Sequence, residues 1–373
     1  MDAANGLRRG RIMTFFEMLG CNIRGNCYGV QAFCNLQLGE EYSRQIGRAD
    51  NFRGAEGHMK KLTVAATLLL VAVLLIAASG HLQAQQENPS ATVPVRTVVT
   101  VLGKNFSEPP AVSRDDIQVY EGKDKLTVSE WIPAQGDRGA LDFAIVIDDE
   151  LNSDIGLQFN DIKDFIREMP PSTRVALFYA SNGTVTIAQD FTTDHEAAAK
   201  ALRLPFGRVA AYASDFLSLS DLMKRWPSTS SRKEMLLVAD GIDRFRGDIP
   251  ESPDLEANID RAQKSGFIIH TIYARGVGLA GRNFFRINLG QSNLSRLADE
   301  TGGEAFFQGT MTPIAYAPFL HQLSIALQHQ FWLTALAKPG KKGGLRRIRV
   351  RTEVSGVDIS APENLYVPGP EGK

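Results

Sequence analysis

Acidic side chains follow two apolar runs of the chain. Carboxylates at such positions can act in catalysis, bind a metal ion or cap a loop. Residues 143–147 lead into Asp148, Asp149 and Glu150, and residues 235–239 lead into Asp240. A hydrolase could use such a cluster as its general base, but it also needs a nucleophile and an oxyanion stabiliser. Because the sequence has no G-x-S-x-G, Walker or H-E-x-x-H motif, we expect no enzymatic activity and keep hydrolysis as a remote alternative.

A glycine-rich segment at 276–281 follows an apolar strand and formally fits the dinucleotide-binding fingerprint. That fingerprint requires a helix that begins at its glycines, whereas an apolar helical pattern begins only at about residue 291. We therefore expect a surface loop. It is either a partner-binding loop or a loop folded back over its own aromatic rings. Its candidate binding residues are Arg275, Arg282, Phe284, Phe285 and Arg286.

Strand and helix patterns alternate over residues 138–328 and must position the acidic residues. Apolar runs at 143–147, 235–239 and 267–273 are typical of strands buried on both faces of a parallel sheet. A Ser-Asn-Gly segment at 181–183 predicts a tight hairpin. The pattern indicates an α/β fold class, Rossmann-like, in which a mainly parallel sheet with one antiparallel edge has helices on both faces.

Short strand patterns flank this region on both sides. We expect an N-terminal β unit at 93–137 and C-terminal β-strands at 329–368, because alternating apolar residues there are separated by turn residues. The two groups are expected to pair, so that the α/β domain is inserted into a small β-strand module.

Residues 59–84 have the three parts of a secretory signal, namely a basic start, an apolar run at 62–78 and a small residue, Ala84, before a polar linker at 85–92. We expect cleavage after Ala84 and export to the periplasm or the extracellular space. An uncleaved inner-membrane anchor at 62–78 is the alternative. Since a signal peptide functions at an N-terminus, we interpret residues 1–58 as a mis-called extension. That extension holds all three cysteines.

The order of elements resembles the von Willebrand factor A fold: a hydrophobic strand ending in aspartate, a helix, a hairpin, two helices and a strand followed by Asp-Gly. It is more similar to the VWFA-related subgroup that is common in Acidobacteria. Segments that carry this resemblance are TVVTVLGKNF from residue 97, VSRDDIQVYEGKDKLTV from 112, RVALF from 174, QDFTTD from 189 and LADETGG from 297. Together they span about residues 93–368.

The resemblance implies one divalent cation, Mg²⁺, at the carboxyl ends of the strands. The family pattern supplies D-x-S-x-S from the first strand, a threonine from a middle loop and a later aspartate, all of them hard oxygen ligands. The corresponding residues here are Asp148, Glu150, Asn152, Ser214 and Asp240. Because three of the five positions are substituted, we expect a degenerate site. Glu150 would take the place of a ligand carboxylate.

We therefore expect an exported module that binds an unknown extracytoplasmic protein. A Mg²⁺-dependent adhesion module of the usual type is the alternative. With 41 basic and 42 acidic residues, the chain has no charge excess that would favour nucleic acid. Contact with a membrane is expected only through an uncleaved anchor.

Overall fold

The computed structural model describes residues 92–247, 249–278 and 283–369. The predicted extension at 1–58, the predicted signal or anchor at 59–84, nearly all of the predicted linker at 85–92, and Arg282 lie outside the described residues. Within the described ranges, no helix combines the length and the apolar character needed to cross a membrane.

Strands and helices follow one another in the order that the sequence predicts. The strands are β1 (Val93–Gly103), β2 (Ile117–Glu121), β3 (Asp124–Pro133), β4 (Leu141–Asp148), β5 (Thr173–Ser181), β6 (Thr184–Thr192), β7 (Arg232–Ala239), β8 (Phe267–Tyr273), β9 (Ala305–Phe306), β10 (Gln330–Ala337), β11 (Gly344–Thr352), β12 (Val357–Ser360) and β13 (Asn364–Val367). The α-helices are α1 (Phe159–Glu168), α2 (His195–Lys200), α3 (Asp215–Arg225), α4 (Pro253–Ser265), α5 (Phe284–Thr301) and α6 (Ala317–Gln328). Short 3₁₀ turns, one of them Ser153–Gln158, lie between them.

A six-stranded sheet in the order β6-β5-β4-β7-β8-β9 is the centre of the α/β unit. Its neighbouring strands are parallel except for the β5–β6 hairpin at one edge. That hairpin turns at Asn182 and Gly183, whose φ angles of 53° and 73° suit the residue types most tolerant of left-handed backbone. The predicted fold class is confirmed.

Helices cover both faces of this sheet, so β4 has no side that faces solvent. Phe143, Ile145 and Ile147 point into one apolar core, which also contains side chains of α1, α2 and α6. Ala144 and Val146 point into the other core, with side chains of α3, α4 and α5. Successive side chains of a strand alternate between its faces, so a continuous apolar run is what a sheet covered on both sides requires.

A second, seven-stranded sheet in the order β12-β1-β10-β3-β2-β11-β13 forms the β module. It combines strands from before and after the α/β unit: β1 pairs with β10 and β12, β10 with β3, and β11 with β2, all antiparallel. Residues 93–100 of β1 face residues 330–337 of β10 in register. The α/β unit is therefore inserted into this module through β3 and β10, which are themselves neighbours.

A buried polar network lies where the two sheets meet. The carboxylate of Glu234 accepts hydrogen bonds from His270 Nε2 at 3.2 Å and Gln330 Nε2 at 3.0 Å, and it lies 3.4 Å from Arg232. The backbone N–H of Glu304 donates to His270 Nδ1 at 3.1 Å, so Nε2 carries the ring hydrogen. The sequence placed His270 in an apolar strand, and the structure gives it two hydrogen-bond partners in the core.

One predicted boundary is wrong. The apolar pattern predicted a helix from about residue 291, whereas α5 begins at Phe284. Asn283 caps it, its side chain accepting from the backbone N–H of Phe285 at 2.9 Å and of Arg286 at 3.3 Å. Ile287 is the only buried residue of the first turn, so the sequence shows no apolar helical periodicity there. The asparagine at the N-cap position was the sequence signal that could have located the start of the helix.

Candidate functional site at the carboxyl ends of the parallel strands

Asp148 and Asp240 lie side by side at one edge of the α/β sheet. β4 ends at Asp148, and Asp240 directly follows β7, its parallel neighbour, in which Ile147 faces Val238. Parallel strands deliver their carboxyl ends to the same edge, which is where open α/β sheets bind ligands. The sequence prediction that these two carboxylates converge is therefore met.

Asp215 completes a triad that the sequence analysis missed. One carboxylate oxygen from each of Asp148, Asp215 and Asp240 lies within 4.8 Å of the other two. Asp215 is the first residue of α3, directly after the predicted ligand Ser214. All three aspartates are buried. The family pattern has a hydroxyl-bearing residue at this point, so it indicates Ser214 and not Asp215.

The three other predicted ligands, Glu150, Ser214 and Asn152, differ in whether they line the cavity beside the triad. Glu150 is buried, and its Oε1 accepts from the backbone N–H of Ala210 at 3.1 Å. Ser214 lines the same cavity, but its Oγ caps α3 by accepting from the N–H of Leu217 at 3.4 Å. Asn152 is exposed and caps a 3₁₀ turn, accepting from the N–H of Asp154 at 3.3 Å. Asn152 is not among the residues that line the cavity.

A guanidinium group, also missed from the sequence, lies among these carboxylates. Arg244 forms an ion pair with Asp240 and lies 3.6 Å from Oε2 of Glu150; only 13% of its side chain is exposed. Burial alone would lower the pKa of Arg244, but the charge of Asp240 and its hydrogen bond raise that pKa. The cluster of Asp148, Glu150, Asp215, Asp240 and Arg244 is called the acidic cluster below.

Some carboxylate oxygens of the acidic cluster accept hydrogen bonds, whereas others are buried without a hydrogen-bond partner. Asp148 Oδ1 accepts from the N–H of Glu150 at 2.8 Å, and Asp240 Oδ1 accepts from that of Ile242 at 3.0 Å. Oδ2 of Asp148 and Oδ2 of Asp215 are buried without a hydrogen-bond partner. Such groups are rare because an unsatisfied buried acceptor costs about 1–3 kcal/mol.

Burial and mutual repulsion disfavour the charged forms of these acids. Burial raises the pKa of Asp148 well above its usual range, and the charges of Asp215, Asp240 and Glu150 raise it further. The pKa of Asp215 is raised well above its usual range by burial and then by Asp240 and Glu150. Burial also raises the pKa of Glu150. The arrangement therefore attracts a proton or another cation.

The donor set suits a hard divalent cation. Asp148, Asp215 and Asp240 supply carboxylate oxygens, two of them unpartnered, and Mg²⁺ prefers such ligands. A cavity of about 10 Å³ among Asp148, Glu150, Ser214 and Asp215 has room for roughly one water-sized particle. When bound, Mg²⁺ would supply a Lewis-acidic contact point. Glu150 and Arg244 line the same cavity, so a ligand carboxylate would have to enter beside both of them.

The predicted partner-binding loop presents aromatic rings to solvent. Phe284 is 63% exposed and Phe285 84% exposed, so the alternative of a loop folded over its own aromatics is wrong. Arg286 lies in the same first turn of α5. The backbone N–H of Arg275 donates to Thr312 Oγ1 at 3.1 Å.

Twelve exposed apolar side chains lie on the segments that follow the parallel strands β4, β7, β8 and β9 and on the segment between α2 and α3. We call this set the apolar rim: Leu157, Leu204, Phe206, Val209, Tyr212, Phe245, Ile249, Phe284, Phe285, Phe307, Met311 and Ile314. Backbone hydrogen bonds attach two of these segments: the N–H of Gly207 donates to the carbonyl of Asp149 at 3.0 Å, and the N–H of Phe245 donates to the carbonyl of Ala213 at 3.0 Å. Large exposed apolar patches mark interaction surfaces in soluble proteins.

No protein-family model and no curated protein matches the chain. Among solved structures, it is similar to an aerotolerance-related membrane protein from Bacteroides fragilis, with 12% identity over 50% of this chain and 98% of that one, at a TM-score of 0.35. It is also similar to a von Willebrand factor type A structure from Catenulispora acidiphila (12% identity, 76% of each chain, TM-score 0.36). The ArnB paralog VWA2 from Sulfolobus acidocaldarius has 10% identity over 74% of this chain and 76% of that one, at a TM-score of 0.34.

The structures from Catenulispora acidiphila and Sulfolobus acidocaldarius are von Willebrand factor A domains by name. The order of elements that the sequence predicted for that fold is present in this chain, and on that ground the predicted fold is confirmed. Identities and TM-scores this low transfer no ligand, partner or activity to this chain. Its placement in the VWFA-related subgroup stays a prediction.

Proposed function

We propose that this von Willebrand factor A-like module is an exported, non-catalytic protein that binds a partner protein through the apolar rim. The supporting observation is the asymmetry of its surface. Most of its large exposed apolar side chains lie on the segments around the acidic cluster, and few lie elsewhere on the described residues. Binding an apolar surface of a partner would remove these side chains from water, at about 25 cal/mol per Å² of apolar area.

Aromatic residues give this surface the composition of a binding site. Phe206, Tyr212, Phe245, Phe284 and Phe285 are exposed members of the rim, and aromatic side chains dominate the energetics of protein interfaces. Two pairs of these rings already pack together, Tyr212 with Phe245 at 5.2 Å and Phe284 with Phe285 at 6.3 Å between centroids. Such partly ordered anchors lose less side-chain entropy on binding than isolated flexible ones.

A metal-bridged contact of the usual adhesion type is the second candidate. It is favoured by the unpartnered oxygens of Asp148 and Asp215. It is disfavoured by Glu150, a buried carboxylate in the lining of the same cavity, whose negative charge would repel a partner carboxylate. Hydrolysis has less support, because a catalytic acidic cluster would need a nucleophile beside it. Three serines line the cavity, Ser181, Ser214 and Ser218. The hydroxyl of Ser214 caps α3, and that of Ser218 donates to the carbonyl of Ser214.

Export is part of the proposal and rests on the sequence of residues 59–84. The chain produced in its own host should be recovered from the cell envelope or the medium, with Gln85 at its N-terminus. Retention of residues 59–84 on a membrane-bound form would support the anchor instead.

Site-directed photo-crosslinking in the host tests the binding surface. A benzophenone amino acid would replace Phe285 or Phe206 on the apolar rim, and, as matched controls, Ile187 on β6 or Tyr366 on β13. All four side chains are exposed. We expect protein adducts from the two rim positions and not from the controls, with loss of the Phe206 adduct when Phe285→Ser is added. Equal labelling from all four positions, or none from the rim, would contradict the proposal.

A further inference from the structure

We propose that the guanidinium of Arg244 is the resident cation of the acidic cluster, and that it competes with divalent cations for Asp148, Asp215 and Asp240. This inference deepens the description of the same site. It does not depend on the identity of the partner protein, because cation binding can be measured on the chain alone.

The first argument is geometric. Arg244 follows Asp240 by four residues and contacts both of its carboxylate oxygens, one of them at 3.4 Å. It also lies 3.6 Å from Glu150 Oε2. A metal ion bound to the three aspartates would have to share Asp240 with this guanidinium. The five N–H donors of arginine match carboxylates in a fixed planar geometry, so the contact is directional as well as electrostatic.

The second argument comes from the backbone that faces this pair. A Cβ atom on Gly276 would collide with the carboxylate of Asp240 and would lie 2.7 Å from a guanidinium nitrogen of Arg244. The absence of a side chain at residue 276 therefore provides the space in which Arg244 and Asp240 meet. Gly276 belongs to the segment whose glycines resembled a dinucleotide fingerprint, and here a glycine has a packing role instead.

The third argument is charge. The acidic cluster contains four carboxylates and one guanidinium, and arginine does not lose its proton in proteins. Arg244 therefore supplies a permanent positive charge, which repels a second cation at short range. The unpartnered oxygens Asp148 Oδ2 and Asp215 Oδ2 show that this one charge leaves acceptor capacity unused. Removal of Arg244 should turn a weak cation site into a strong one.

Titration of Mg²⁺ and Mn²⁺ into the purified mature chain tests the inference, with the dissociation constant from calorimetry and the melting temperature as readouts. Arg244→Gln should bind either ion at least about tenfold more tightly than the unmodified chain, equivalent to about 1.4 kcal/mol. Its melting temperature should rise with added metal and fall with EDTA. Arg246→Gln is the matched control, because Arg246 pairs with Asp254 at 2.8 Å on the exposed surface; its affinity should not change.

A further variant shows where the metal binds. Adding Asp148→Asn to Arg244→Gln should abolish the gain in affinity. If Arg244→Gln does not fold, the double variant Glu150→Gln with Arg244→Gln removes one charge of each sign and keeps the net charge of the cluster. It should show a smaller gain of the same sign, because Asp240 is still released from the guanidinium.

Equal affinity of the unmodified chain and the Arg244 variants, or a gain that survives Asp148→Asn, would overturn the inference. Neither result would affect the crosslinking experiment. Conversely, loss of crosslinking at the rim would leave the metal titration unchanged.

Discussion

Arg203 and Asp149 form a paired ion bridge, with guanidinium nitrogens 2.7 Å and 2.8 Å from the two carboxylate oxygens. The same carboxylate accepts the backbone N–H of Phe206 at 2.9 Å, and the guanidinium lies over the rings of Tyr179 and Phe206. Asp149, the residue between two members of the acidic cluster, thus holds the segment 201–214 that carries part of the apolar rim.

Asp149→Asn should loosen this segment while the fold persists. The variant retains the shape of the side chain but loses the charge that holds Arg203, so we expect a loss of about 1–3 kcal/mol. Hydrogen exchange measures it directly: the amides of Phe206 and Gly207 should exchange faster. Asp154→Asn, at an exposed position of the same connection, should leave these rates unchanged. Unaltered exchange in Asp149→Asn would show that other contacts fix the segment.

Asp215→Asn should stabilise the protein in EDTA at pH 8. The pKa of Asp215 is raised well above 3.8, so the folded state retains its proton to higher pH than the unfolded state, and ionisation at pH 8 disfavours folding. The variant should gain about 1 kcal/mol or more in free energy of unfolding. The gain should shrink as the pH falls and should disappear below about pH 3.8, where Asp215 is protonated in both the folded and the unfolded state.

Asp221→Asn, on the same helix, is the control, because the pKa of Asp221 is shifted in the opposite direction to that of Asp215. Hydrogen bonds from Thr184, Val185 and Arg225 outweigh burial and lower the pKa of Asp221, so its removal should not stabilise the protein. Denaturant unfolding at several pH values measures both variants. A loss of stability in Asp215→Asn at pH 8 would mean that its charge is compensated in the folded chain.

Glu234→Gln should destabilise the junction of the two sheets. Burial would raise the pKa of Glu234, but the hydrogen bond from His270 and the charge of Arg232 hold that pKa below 4.5. The charged form therefore stabilises the fold above about pH 4.5, and this contribution is lost as the pH falls through the lowered pKa.

The variant leaves Arg232 buried without its counter-ion, so we expect a loss of about 3–5 kcal/mol at pH 7. The difference in free energy of unfolding between Glu234→Gln and the unmodified chain should become smaller below pH 4.5. Glu256→Gln, which breaks an exposed pair with Arg296, should change the stability by less than about 1 kcal/mol. Thermal unfolding from pH 3 to pH 8 separates these outcomes.

Gly276→Ala should disturb the acidic cluster through sterics alone. The added methyl group would overlap the Asp240 carboxylate, and overpacking of this kind typically costs about 1–3 kcal/mol. Gly344→Ala is the matched control because no atom lies within 4 Å of a Cβ built there. Calorimetric melting temperatures measure both. If Gly276→Ala has the same melting temperature as the unmodified chain, Asp240 and Arg244 have room to move away from the added methyl group.

The elements that the sequence predicted well are those whose local pattern and tertiary environment agree. β4 is apolar throughout and buried on both faces, and the β5–β6 hairpin has residues suited to left-handed backbone at its turn. The start of α5 was missed because its first turn is exposed, so no apolar period marks it. The side-chain cap of Asn283 marks this helix start, in place of the periodicity on which such predictions depend.

The candidate site was predictable only in part, for a related reason. Asp148 and Asp240 end neighbouring parallel strands, so topology alone brings them together. Asp215 and Arg244 reach the cluster through a helix start and a loop, and their side chains converge only once the segments around them are packed. Asn152, which matched the family pattern by spacing, instead caps a 3₁₀ turn. Spacing along one segment does not fix the direction of a side chain beyond the strand end.

The neighbouring positions of β3 and β10 have a mechanical consequence. A force applied to the apolar rim is transmitted out of the α/β unit through these two strands. They pair in antiparallel fashion, from the residue pair Phe331 and Pro133 to the pair Leu336 and Thr127. β10 is also paired along its length with β1. Tension carried toward Val93 therefore loads β1 and β10 in shear, in which the hydrogen bonds between residues 93–100 and 330–337 resist together.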